Sequence, residues 1–137
     1  MIVNNSIDIS EIVAEYGLTD HLIELDEVGL TVVSQQTLRL SDEWIDRLRD
    51  ALLRVGEART GVSFNLATGP SANIEGRPSQ TGQMIFSHLV HEDQAFIDVL
   101  THPVKKALMT CMHGDGHRLA VSDGWIKWQT PDVWENE

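Results

Sequence analysis

His113-Gly114-Asp115-Gly116-His117 brings together the ligand types of a two-histidine, one-carboxylate iron site: an H-x-D and a further histidine. Such a site needs its H-x-D on a rigid strand edge and its second histidine from a distant strand. Here two glycines make the segment a helix stop and a turn, so no metal ligand is assigned to it. His91-Glu92-Asp93 is a second H-x-D. Its flanks carry helical signals, and residues two apart on a helix point to nearly opposite sides, so the pair cannot converge on one ion. His88 and His91, at i and i+3, could converge but lack a third ligand. There is no G-x-S-x-G elbow. The glycines at Gly69, Gly76 and Gly82 do not open a helix after a strand, so no phosphate-binding loop is formed. Cys111 is the only cysteine; it excludes an intramolecular disulfide and a cysteine-rich zinc site. From the residues alone, no catalytic group is assigned.

The elements that must carry these residues follow from the patterning of 137 residues, enough for one domain with a modest core. Ile9, Ile12, Val13 and Tyr16 fall at i, i+3, i+4 and i+7, an amphipathic helix capped by Ser6 or Asp8 and stopped by Gly17. A second short helix starts at Thr19 or Asp20 and ends at Gly29. Leu30 to Val33 is apolar and β-branched and predicts a strand. Ser41 caps the clearest helix, with Trp44, Leu48, Ala51, Leu52 and Val55 on its apolar face. Asp46, Arg47, Arg49, Asp50 and Arg54 form its solvated face. Residues 60–83, rich in Gly, Pro, Ser, Thr and Asn, predict a long mobile loop without helix or strand.

Met84 to Val90 reads as helical again, and Asp93 caps a turn carrying Phe96, Ile97 and Leu100. Pro103 sits in the first turn of a helix capped by Thr101 or His102. Val104, Ala107, Leu108, Cys111 and Met112 keep its period to Gly114, which places Cys111 on a buried face as an inert small hydrophobe. From Arg118 to Ser122 and from Trp125 to Trp128 the period is two, and Asp123-Gly124 between them predicts a hairpin. Trp125, Trp128 and Trp134 crowd the C-terminal segment, where large aromatics need a covering surface.

Twenty-one Asp and Glu against ten Lys and Arg leave a formal charge of -11, which argues against nucleic acid or an anionic membrane as partner. The N-terminal residues lack a basic start and an apolar run, and no apolar stretch is long enough to span a bilayer, so a cytoplasmic protein is expected.

Several segments together resemble the phytanoyl-CoA dioxygenase family, non-haem iron enzymes that use 2-oxoglutarate. Residues 24–33 look like its opening helix, glycine and strand, and residues 44–53 are similar to the amphipathic helix that follows. Residues 89–96, then His102-Pro103, then residues 114–119 look like the family passage L-L-x-x-D-x-x-F, h-P and L-G-x-x-x-x-L. The resemblance implies an α+β fold: a helical N-terminal scaffold plus the first strands of a double-stranded β-helix, a cupin-like jelly roll that is incomplete here. It implies Fe(II) and 2-oxoglutarate as cofactors and hydroxylation of a small-molecule C–H bond, with the iron ligands beyond this chain. Neither cofactor is then expected to bind this chain alone.

One position reaches toward such a site. Lys127 resembles a lysine at a similar strand that helps bind the 2-oxoglutarate carboxylate. It shares a strand face with Trp125, while Ile126 and Trp128 face the other way. The other expectation for it is a surface lysine, snorkelling or paired with Asp123 or Asp132. A different reading of the whole chain is a small acidic protein-binding module without catalysis. Trp125, Trp128 and Trp134 would then anchor a partner or a second copy.

Overall fold

In a computed structural model, residues 8–74 and 82–128 are described. They form an α+β chain with six α-helices and two antiparallel two-stranded sheets. In order these are α1 (Ile9–Tyr16), α2 (Thr19–Val28), α3 (Gln35–Leu38), α4 (Asp42–Thr60), β1 (Phe64–Asn65), β2 (Gly69–Pro70), β3 (Gln83–Phe86), α5 (Gln94–Leu100), α6 (Pro103–His113) and β4 (Gly124–Lys127). Two compact units divide the chain, one of residues 1–44 and 97–119 and one of residues 45–96 and 120–137.

The first unit is built on local signals. Asp8 caps α1 by accepting from the Ser10 amide at 2.9 Å. Gly17, at φ 64°, ends it in a left-handed turn, and the next amide, on Leu18, bonds back to Val13 O at 2.9 Å. That bond drives Leu18 into the core. Leu18 is fully buried with Ile12, Val104 and Ala107 where α1 packs on α6. Each large side chain removed from water there contributes about 1.5–3 kcal/mol. Arg39 closes the end of α1: it pairs with the Glu15 carboxylate at 2.6 Å, donates to the Glu15 carbonyl and lies 4.4 Å over the Tyr16 ring. His102 precedes Pro103 as the cap residue of α6, its ring Nε2 against Leu38 O at 3.1 Å.

The predicted strand at Leu30 to Val33 is not formed. No partner strand lies along it among the described residues, and Leu30 and Val32 are exposed. Side chains hold the segment instead. The Thr31 hydroxyl bonds the Glu24 carboxylate, and His21 Nδ1 lies 2.8 Å from the same hydroxyl, while Val33 packs on the core. Cys111 also departs from expectation. It is exposed, because α6 buries the Val104 and Ala107 side of its apolar stripe and leaves the far end, Cys111 and Met112, open.

The second unit is a helix under a ribbon. Ala51 and Val55 of α4 meet Met84 and Phe86 of β3 and Ile126 of β4, all buried. The register pairs Gln83 with Lys127, Met84 with Ile126, Ile85 with Trp125 and Phe86 with Gly124. Met84 to Phe86 is therefore a strand rather than the start of a helix; its alternation puts Met84 and Phe86 inward. The Asp123-Gly124 hairpin does not form either. Residues 117–123 are irregular, and the run after Gly124 pairs with β3, far back in the chain. Gly124 lies inside the strand for want of space: a Cβ there would fall 2.6 Å from methyls of Leu52 and Leu89.

The expected structureless run at 60–83 contains a small hairpin, in which Phe64 pairs with Pro70 and Asn65 with Gly69. The Asn65 side chain makes the turn by accepting from the Ala67 and Thr68 amides. Within that run, residues 75–81 lie outside the described residues, as do Ser6, Asp132 and Trp134.

Candidate functional site

The outer face of the β3·β4 ribbon carries side by side two residues singled out from the sequence, Trp125 and Lys127. Pleating turns Met84, Phe86 and Ile126 toward α4, so Gln83, Ile85, Trp125 and Lys127 share the opposite face. Ile85 is 39% exposed and its cross-strand partner Trp125 is 49% exposed. Lys127 Nζ lies 5.4 Å from the Trp125 ring centroid, within cation–π range. No carboxylate pairs with Lys127 among the described residues. The face thus offers an indole, an isoleucine and a positive charge without a carboxylate partner among the described residues, a combination that can hold an anionic group against an apolar surface.

Trp128 is not part of that face. It packs on the unit's own core and lies 6.3 Å from the Phe64 ring, and its amide bonds Gly82 O at 2.9 Å. A Cβ at Gly69 would come within 2.5 Å of its indole. The small hairpin therefore covers it.

The histidine motifs are dispersed. His88 adopts a left-handed backbone at φ 62°, and His91 ends a short 3-10 turn from Leu89. The helical spacing assumed for the pair is therefore absent. The acids of His91-Glu92-Asp93 belong to α4: Arg54 pairs with Asp93 at 2.8 Å, and Arg59 pairs with Glu92 at 2.5 Å while donating to Ser87 O. Arg54 makes this pair from the exposed face of α4. The Ala95 amide, which donates to Asp93 at 2.9 Å, and then Arg54 hold the Asp93 carboxyl below the usual carboxylate range. At the end of α6, His117 Nδ1 bonds Gly114 O at 2.9 Å, so Gly114 to His117 makes a closed turn. Among the described residues, no three His, Cys, Asp or Glu side chains converge on a point where a metal could sit. The described His, Cys, Asp and Glu side chains thus do not assemble an iron site.

Sequence reasoning missed Ile85, because Met84 to Val90 read as helix. The alternation in Gln83 to Phe86 was its only signal. It also missed the His21, Thr31 and Glu24 chain, which requires the 30–33 segment to fold back on α2. Among the described residues, no helix is long and apolar enough to cross a membrane. No protein-family model, curated protein or solved structure matches the chain.

Proposed function

We propose that the chain is the N-terminal part of a phytanoyl-CoA dioxygenase-like oxygenase, a helical scaffold carrying the first strands of a double-stranded β-helix. One observation supports this reading best: among the described residues, α4 covers one face of the β3·β4 ribbon, and each strand has one edge without a partner strand. A jelly roll encloses its site between two sheets. A face already covered by a helix lies outside it, and the other face, with Ile85, Trp125 and Lys127, lines the interior. Open edges of this kind are completed by further strands. Fe(II) and 2-oxoglutarate, bound by the completed protein, would supply the oxidising chemistry for a small-molecule C–H bond. The part left to this chain is to position and to exclude water. Trp125 and Ile85 form an apolar wall, and the Lys127 ammonium offers a counter-charge to a carboxylate of 2-oxoglutarate.

The coding sequence downstream of Glu137 tests this. An H-x-D within a few tens of residues, followed by a distal histidine and arginine, is expected. The protein carrying them should release succinate from 2-oxoglutarate in an Fe(II)-dependent way. In it, Lys127→Ala should raise the 2-oxoglutarate KM and leave iron binding intact. A downstream sequence without these residues overturns the proposal.

A second reading rests on the same exposed indole: a small acidic protein-binding module without catalysis, anchored by Trp125. It expects partner binding that Trp125→Ala abolishes, in a protein with no downstream iron ligands.

A further inference from the structure

The first unit carries a groove that the oxygenase reading does not use. One wall is α6, where Lys105, Leu108, Met109 and Met112 recur at i, i+3, i+4 and i+7; the facing wall includes Leu25 of α2 and Val33. The groove holds about 290 Å³ and adjoins a hollow of about 420 Å³ where Asp26 and Cys111 flank Leu25 and Met112. Met112 is 50% exposed and Leu108 and Met109 are partly exposed, so the α6 wall of the groove lies open. Small-molecule sites instead enclose most of their ligand. The α6 residues extend over about 10 Å, two helical turns, which is the span of the i to i+7 anchors of one docked helix. Two methionines give the wall an adaptable, polarisable surface.

Charge selects the occupant. α2 carries Asp20, Glu24, Asp26 and Glu27 and no Lys or Arg. The unit as a whole has eleven carboxylates against four Lys and Arg. A second copy of this chain is repelled by that field, and a basic segment is drawn to it. The ends of the groove differ as well. Asp26 stands at the Met112 end, whereas Lys105 stands at the first turn of α6 and has no ion-pair partner among the described residues. Partial burial holds the Lys105 ammonium below its ordinary pKa, as expected of a cation without a counter-ion. A docked helix with its N-terminus at Asp26 and its C-terminal carbonyls at Lys105 places both ends of its dipole against opposite charge.

We propose that the groove between α2 and α6 docks a basic amphipathic helix of a partner protein, N-terminus toward Asp26 and C-terminus toward Lys105.

The full chain is titrated, in low salt, against a fluorescein-labelled Leu/Lys peptide of about 16 residues with leucines at i, i+3, i+4 and i+7. Anisotropy should give micromolar binding. A scrambled peptide of the same composition should bind at least roughly tenfold more weakly, and the peptide with Glu for Lys not at all. Met112→Lys, at a half-exposed position, should lower affinity by roughly tenfold or more with an unchanged melting curve. Should that variant fail to fold, Asp26→Lys decides by the same criterion. Equal binding of the scrambled peptide, or unchanged affinity in the folded variant, would overturn the proposal. So would a dimer in sedimentation that Met112→Lys dissolves, since the occupant would then be a second copy.

Discussion

The two units bury their cores in opposite ways. In the first, helices packed on helices bury Leu18, Val104 and Ala107 and leave a trough with Asp26 at one end and Lys105 at the other. In the second, a helix covers one face of a two-stranded ribbon and leaves the other face flat, apolar and marked by one lysine. The helices of the first satisfy their backbones internally and need neighbours only for side chains. A two-stranded ribbon has spare edges as well as a spare face, and is marginal by itself. Surplus surface in the first unit therefore suits a docked helix, and in the second it suits added strands.

The largest test of this contrast is Phe86→Ala. Emptying a site that is 4% exposed should cost about 3–5 kcal/mol in urea unfolding. A loss below about 1 kcal/mol would mean that the ribbon is not clamped on α4. The glycines divide next. Gly124→Ala should cost about 1–3 kcal/mol through collision with Leu52 and Leu89. Gly17→Ala meets nothing within 4 Å and should cost about 1–2 kcal/mol through its positive φ alone. Asn, which tolerates that conformation, should recover part of the loss at Gly17 and none at Gly124; recovery at both would erase the distinction.

Leu108→Ala probes the open groove against the closed core. A fully buried leucine would cost about 2–5 kcal/mol, but Leu108 is only partly buried at the groove wall, so a loss below about 2 kcal/mol is expected. A larger loss in thermal unfolding would place it in the core.

The smallest effect is acid-dependent. The folded-state pKa of Asp93 lies below its ordinary 3.8. Its bonds to the Ala95 amide and Arg54 therefore contribute above that value and are lost as pH falls through the folded-state one. Asp93→Asn keeps a capping side chain and should flatten the stability curve below about pH 4. Parallel curves for the two proteins would remove Asp93 from the acid limb.

Sequence by itself determined α1, α2, α4, α5 and α6 in outline, but not the short α3 and not the strand at Gln83 to Phe86. Asp8, Gly17, Gly29, Ser41, Asp93 and Pro103 act through bonds and backbone angles within a few residues, so their meaning travels with the local pattern. The candidate site was legible only in part: Trp125 and Lys127 could be placed on one strand face by alternation. Their partner Ile85 could not, because a short apolar run such as Gln83 to Phe86 suits helix or strand equally until its pairing is known. Tertiary structure alone decided that β4 turns back to β3 instead of forming a hairpin at Asp123-Gly124, and that Leu30 to Val33 has no strand to join. It alone set Arg54 and Arg59 on Asp93 and Glu92. Strand pairing and ion pairing draw on residues distant in sequence, and a free energy shared between such partners is written in neither segment taken alone.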